Sequence, residues 1–449
     1  MTELVRTLKL RDLSLLIIGA VIGSGIFLVP GGVLSQVKGN ALLALAVWLA
    51  GGLLSLLGAL TYGELSAMNP KAGGLYVYIR DCFGRLPAFL FGWALFFAIC
   101  GGAVATLAVA FSDNLSEVVP LPGITAKFAS VGMILVVTAV NVWGTRRSAD
   151  LQNWTTAIKV GALILMSVVL LYMGRGFTPN SVLDLQQNEG SLASGFGLAM
   201  IGVLWAYEGW QYGTFSAGET IDAQRNFPRA FLIGMSTLIC VYLLANMAYL
   251  WALSPAEVAL SKSVAATAIS ATAGAAAAKL VALVIAISIF SATNATVLTG
   301  SRVYYAMARD GLFFQRLAEV HPRFGTPAFA VIAGAAWAAI LAMLGDFQQL
   351  LTYVVFAGWI FYGLGASALF VYRRRMNADD LPYRVPGYPW TPLLFVLAAA
   401  ALVVNTVATQ IVQSPMRTLI AVGIILLGVP AYFIWRARNR AELTAPAQP

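Results

Sequence analysis

Apolar residues run along this chain in long blocks, not in the alternating or one-faced patterns of a soluble domain. Twelve such blocks, at about residues 12–36, 41–69, 87–112, 126–143, 154–174, 194–219, 229–252, 276–303, 327–345, 348–371, 391–411 and 416–435, approach or exceed the ~20 residues that a helix needs to cross a bilayer. The segments between them are short and carry most of the charge. The pattern predicts an all-α membrane protein of twelve transmembrane helices in a single domain over 1–449, without a soluble appendage. The opening MTELVRTLKLRD is too short and too charged for a cleaved signal peptide, so the first block reads as a retained helix.

Composition supports this. Of 449 residues, 59% are hydrophobic and 10% charged, whereas soluble domains carry roughly 25% charged residues. The net charge of +9 raises the question of nucleic acid, but the distribution of the basic residues answers it. With the N-terminus in the cytoplasm, 21 of the 28 Lys and Arg residues fall in inner loops and five in outer ones. The positive-inside rule then places both termini in the cytoplasm, as a multi-pass protein of the cell inner (plasma) membrane. Cys82, Cys100 and Cys240 lie far apart and His321 is the single histidine, so the sequence offers neither a zinc site nor a disulfide scaffold. It holds no phosphate loop, no His/Cys or His/Ser pairing and no cofactor motif, which leaves an enzyme reading without support.

Two blocks are interrupted. The first reads LLIIGAVIGSGIFLVPGG, with Gly23, Ser24 and Gly25 at its middle. Glycine in a membrane helix often serves close packing, but Gly-Ser-Gly also has poor helix propensity and is a candidate break. The sixth block contains WAYEGW at 205–210, which sets Glu208 and Gly209 between two tryptophans. Interrupted segments at matching positions of two five-helix halves, 12–174 and 194–371, are the pattern of an inverted-repeat transporter, with 391–435 supplying two further helices. A broken helix exposes N–H groups at the start of its second half and carbonyls at the end of its first. The N–H groups around Ser24, Gly25 and Ile26 suit a carboxylate. The carbonyls near Trp205 and Ala206 suit an ammonium. A molecule with both is an α-amino acid.

Several stretches resemble one family. IGSGIF at 22–27 with Pro30 and Gly31, YGELSAMNPKAGGLYVYI at 62–79, WAYEGW, GETIDAQRNFPRA at 218–230, CVYLLANMAYL at 240–250 and SRVYYAMARDGLFF at 301–314 are together similar to the amino acid–polyamine–organocation superfamily. They point to its L-type amino acid transporter branch, bacterial type. The resemblance covers about residues 10–375 and is specific in combination. It implies a LeuT-like 5+5 inverted repeat with helices 1 and 6 broken, and in many members sodium-independent exchange of amino acids. Eukaryotic members bond to a partner glycoprotein through a cysteine in the loop between helices 3 and 4. Residues 112–127 contain none, so no disulfide-linked partner subunit is expected.

The candidate substrate contacts are Ile22, Gly23, Ser24, Gly25 and Ile26 on the first helix, Trp205, Ala206, Tyr207, Glu208 and Gly209 on the sixth, and Tyr242 on the seventh. Tyr353 is a further candidate hydroxyl. Trp205 is read either as a gate over the substrate, where the resembled family has an aromatic, or as a packing residue. Lys159 must lie within the fifth span, because residues 160–174 alone give too short a crossing. It either snorkels to the inner interface or ties its helix to the broken first helix and to Ser288, Ser291, Thr293, Asn294 or Thr296 of the eighth. The resemblance implies that a lysine at this position replaces a coupling sodium ion. Glu208 either faces the substrate side chain, bonds neighbouring helices, or sits near an interface if 191–207 crosses alone. Glu64 and Glu219 are expected to pair with inner-loop arginines. The function expected is secondary transport of neutral or polar L-amino acids by alternating access, as sodium-independent exchange. The alternatives are a cationic amino acid or polyamine antiporter and a proton-coupled symporter. A channel or a non-transporting sensor fits less well.

Overall fold

The computed structural model describes residues 4–177, 192–345, 347–377, 381–413 and 415–444. Among these residues there is no β-strand, only an isolated parallel bridge between Leu8 and Thr220. Each of the twelve apolar blocks holds helix.

The first block divides into α1 (Leu10–Val21) and α2 (Gly25–Gln36), bent by 46° across the Gly23-Ser24-Gly25 break. α3 (Ala41–Met68) starts where the Asn40 side chain accepts the Leu43 N–H at 2.9 Å. The short α4 (Leu75–Phe83) lies in the following connection. α5 (Arg85–Ala94) runs through a π turn, Leu95–Ile99, into α6 (Cys100–Ser116). α7 (Ile124–Val142) and α8 (Thr145–Met173) follow.

Further along, α9 (Leu192–Ala206) stops at a turn over 207–209, and the chain continues as a 3₁₀ stretch, Trp210–Glu219. Then come α10 (Ala223–Ala252), the small connecting helices α11 (Pro255–Leu260) and α12 (Val264–Ala273), and the long α13 (Ala275–Arg309). α14 (Ala328–Leu344), α15 (Phe347–Arg375), α16 (Trp390–Gln413) and α17 (Pro415–Thr444) follow.

Length and composition alone qualify six helical stretches among the described residues to cross a membrane, and a seventh if α1 and α2 count as one bent span. Large apolar side chains face outward, as with Tyr172 at 90% and Trp154 at 73% exposure on α8. That surface suits lipid, and the protein is a multi-pass membrane protein.

The interior is unusually polar for such a chain. α8 turns Ser148, Gln152, Thr155, Thr156 and Lys159 inward, at the spacing of one helix face. They meet α1, α7 and α13. Gln152 Nε2 donates to Ser291 Oγ at 3.1 Å, Asn294 Nδ2 to Gln152 Oε1 at 3.0 Å, and Asn141 Nδ2 to Asn294 Oδ1 at 2.9 Å. Buried polar groups persist only when partnered in this way. The ladder also explains why α8 begins at Thr145, well ahead of the apolar block predicted from residue 154: its first turns are buried by hydrogen bonding rather than by apolar contact.

Ion pairs knit the ends of these helices. Glu219 holds Arg302 at 2.6 and 2.9 Å and accepts the Thr145 hydroxyl at 2.7 Å, with all three residues buried. Glu64 takes Arg373 at two 2.7 Å contacts. Both acidic residues thus pair with arginines, as expected. Asp12 at the start of α1 accepts Arg146 at 2.7 Å and Asn153 at 2.6 Å.

Candidate functional site

The two breaks touch. Gly209 has φ +118°, a conformation that L side chains avoid, and a Cβ there would lie 2.8 Å from the Ala20 carbonyl oxygen. Gly25 lies against Ala206 so closely that a Cβ would come within 2.8 Å of Ala206 Cα. The glycines therefore serve both readings of the sequence at once. They end the helices, and they let two backbones meet.

The meeting point borders a cavity. One wall is the end of α1 and the start of α2, through Ala20, Val21, Gly23, Ser24 and Gly25. The facing wall is the end of α9 and the turn after it, through Trp205, Ala206, Glu208 and Gly209. Tyr212, Ala103, Thr106 and Leu107 of α6, Ala292 and Thr296 of α13, and Val354 of α15 close the rest.

Three helix ends thus face one space. α2 presents its N-terminus, where the first N–H groups have no carbonyl a turn earlier to donate to. α1 and α9 present their C-termini. The dipoles of these ends favour an anion on the first side and a cation on the other. Among the described residues the Ser24 hydroxyl is 1% exposed and lacks a partner.

Not every predicted contact lines this space. Ile22 and Ile26 are fully buried outside its lining. Tyr207 turns away into an aromatic cluster, with ring centroids 6.0 Å from Trp48 and 4.9 Å from Tyr242. Tyr242 stands behind the joint, its hydroxyl 3.0 Å from the Ala206 carbonyl oxygen and 3.2 Å from that of Val21. It links the two C-terminal ends rather than lining the cavity. The Tyr353 side chain lies outside the described residues.

Lys159 is fully buried at the middle of α8 and does not reach an interface. Its ammonium donates to the carbonyls of Gly19 and Ile22, both at 2.6 Å. Ser288 Oγ donates to Ile22 O at 3.0 Å and to Gly23 O at 3.1 Å. Of the polar residues anticipated on α13, Ser288 is the one that shares a carbonyl with Lys159. Ser291 and Asn294 serve the α8 ladder, while Thr293 and Thr296 donate to their own helix. Together Lys159, Ser288 and Tyr242 supply donors to the carbonyls that the break in α1 sets free.

Glu208 lies between the alternatives set for it. Its Oε1 accepts the Tyr362 hydroxyl of α15 at 2.9 Å, an inter-helix bond. Its Oε2, buried and bordering the cavity, has no partner among the described residues.

Comparison with known proteins now decides the class. The amino acid permease family matches residues 8–429, nearly the whole chain. The chain belongs to the amino acid permease family. It is 31% identical over 427 residues to the serine/threonine exchanger SteT of Bacillus subtilis (strain 168), covering 94% of this chain and 95% of that one. It is 32% identical over 446 residues to the b(0,+)-type amino acid transporter 1 of Mus musculus, covering 97% and 90%. It is 33% identical over 439 residues to the cystine/glutamate transporter of Homo sapiens, covering 96% and 86%. As a member of this family the protein is an amino acid transporter.

Sequence reasoning missed the contributions of α6 and α15. Ala103, Thr106, Leu107 and Tyr362 sit in ordinary apolar helix, and nothing in their spacing separates cavity lining from packing.

Proposed function

We propose that this permease exchanges one L-amino acid for another by alternating access, without sodium, at the joint between α1–α2 and α9. The observation that carries the reading is the convergence of one helix N-terminus and two C-termini on a single cavity. An α-amino acid supplies the carboxylate and the ammonium that these ends favour. Ser24 and Gly25 would meet the carboxylate through backbone N–H groups. The ends of α1 and α9 would meet the ammonium. Trp205, at the edge of the cavity, would cover the substrate from outside, and Glu208 would tune the side chain admitted.

Lys159 would replace a coupling cation. Its ammonium already occupies the freed carbonyls at the α1 break, which supports transport that needs no sodium. The architecture we infer is twelve spans, with 12–174 and 194–371 as inverted five-helix repeats and 391–435 as two added helices. The placement of basic residues supports cytoplasmic termini in the inner (plasma) membrane. Neutral and polar amino acids are the expected substrates, and a relative named for serine/threonine exchange supports that class. A second reading, exchange of cationic amino acids, draws on the free oxygen of Glu208. Polyamines suit the site less, because they would leave the α2 N–H groups without an anion.

The test is a trans-stimulation panel. Proteoliposomes are loaded with one amino acid and external ones are offered in turn. Acceleration by a defined set of internal amino acids supports exchange. Equal uptake by loaded and empty vesicles contradicts it.

A further inference from the structure

α1 is open to the outside on one side only. α8 packs against it where the Thr156 hydroxyl donates to Leu15 O at 3.2 Å and where Asp12 accepts Arg146 and Asn153 at 2.7 and 2.6 Å. α10 packs against another side, so close that a Cβ on Gly234 would meet the Ile17 side chain at 2.9 Å. At about 100° per residue, Arg11 points about midway along the wider arc between Asp12 and Ile17. It is the one exposed residue of α1. Ile18, two turns on along the same face, is buried, and α8 and α10 touch each other. Arg11 therefore stands at the mouth of a cleft between the N-terminal ends of α8 and α10.

The walls of this cleft change character along their length. At the open end the exposed residues are basic, Arg147 on α8 and Arg225 and Arg229 on α10. These three and Arg11 form no ion pair among the described residues, whereas Arg146 is taken by Asp12 and Asp150. Lys9 is exposed beside them, because Ile221 N–H donates to Leu8 O at 2.8 Å and draws the start of α1 to the start of α10. Basic residues here outnumber the carboxylates of Asp12, Asp150 and Asp222 by two to one. Further along, the exposed stripes turn apolar. On α10 Arg225 and Arg229 are followed by Leu232 and Ile233, and on α8 Arg147 is followed by Trp154 and Ile158, all exposed and each set at the spacing of one helix face.

An anionic head on hydrocarbon tails matches this distribution. Guanidinium groups bind phosphate through paired N–H donors, and tryptophan favours the level at which headgroups meet hydrocarbon. A small soluble anion would use the arginines and leave the apolar stripes without a partner. We propose that the cleft binds an anionic phospholipid, with its phosphate among Arg11, Arg147 and Arg229 and its acyl chains along α8 and α10. The lipid joins the first turns of three helices, and by binding the folded state it stabilises that state by mass action. The inference stands apart from the exchange mode and the orientation proposed above, since it needs only that α8 and α10 border the bilayer.

The experiment titrates the full chain in neutral detergent with dioleoylphosphatidylglycerol or dioleoylphosphatidylcholine. It records the thermal midpoint, and the lipids retained in native mass spectrometry. Three proteins are compared: the wild type, Arg11→Gln with Arg229→Gln in the cleft, and Arg316→Gln with Arg323→Gln in the connection between α13 and α14. The last pair removes the same charge from exposed positions elsewhere. Phosphatidylglycerol is expected to raise the wild-type midpoint and phosphatidylcholine to leave it unchanged. The cleft variant is expected to need about 25-fold more phosphatidylglycerol, at about fivefold per basic residue, and the distant variant to match the wild type. If the cleft variant does not fold, the single variants carry the test, each expected to need about fivefold more. Equal response to both lipids overturns the proposal, as does a cleft variant that titrates like the wild type. A distant variant as weak as the cleft variant would reduce the effect to bulk charge. A midpoint raised equally by glycerol phosphate would make the occupant a soluble anion, which also overturns it.

Discussion

Lys159 and Ile22 are joined by a 2.6 Å hydrogen bond that reaches from the middle of α8 to the carbonyl at the break in α1. A charged group deep in a membrane protein is costly unless it is partnered. Here it satisfies backbone that the break has exposed, and non-helical backbone at membrane depth survives only where it is buried in protein or lines a cavity.

Lys159→Met removes the donor and keeps most of the stem. Two charge-assisted hydrogen bonds, each about 1.5–3 kcal/mol, are lost. The desolvation cost of a buried cation is lost as well, at several kcal/mol, so the two largely offset. Exchange is therefore expected to fall by about tenfold or more while the thermal midpoint in detergent moves little. A variant with normal exchange would show that Lys159 is structural ballast.

The sodium question follows from the same contact. Replacing sodium with choline outside wild-type proteoliposomes is expected to leave the initial rate of exchange unchanged. A rate that rises with sodium would place a cation where the lysine is proposed to act instead.

Gly25 and Gly23 should separate close approach from open space. A Cβ at Gly25 meets Ala206 at 2.8 and 2.9 Å, whereas one at Gly23 has its nearest neighbours, Ala292 and Leu107, at 3.6 Å. Gly25→Ala forces the two breaks apart, an overpacking cost of about 1–3 kcal/mol. Gly23→Ala fills cavity without a clash. The expected result is a lowered thermal midpoint for Gly25→Ala alone. Equal midpoints would mean that the joint is looser than its geometry implies.

Arg302 and Glu219 are 0% and 1% exposed at the side chain. Removing one member of such a pair strands a buried charge, at about 3–5 kcal/mol. Arg302→Met is expected to unfold at a clearly lower temperature. The double variant Arg302→Met with Glu219→Leu should recover most of the loss, because no unpaired charge remains. If the double variant is as unstable as the single one, the pair is not the source of the effect.

What the sequence disclosed depended on how each residue was buried. Apolar burial is visible in one dimension, so every predicted block holds helix, and Gly-Ser-Gly and WAYEGW mark where helix stops. Burial by hydrogen bonding is not. Ser148, Gln152 and Asn153 look like a polar loop, yet they form the buried face of α8. The walls contributed by α6, α13 and α15 were equally hidden. Thr106 is a single hydroxyl in apolar helix, Thr296 is one of several polar residues along α13, and Tyr362 is one tyrosine among 16. Their significance lies in which neighbour each proton is given to, and only the packed structure fixes that. The helices α4 and α11 fell in connections of mixed polarity, and α12, though apolar, is only ten residues long and too short to read as a block.

The central claim is that one amino acid at the joint of the two broken helices is traded for another. Dual-label flux measures this most directly, with tritiated serine outside and carbon-14 serine inside the same proteoliposomes. The account predicts that one molecule leaves for each that enters, and that neither flux proceeds when the opposite side is empty. Net uptake into empty vesicles at the same rate would contradict it.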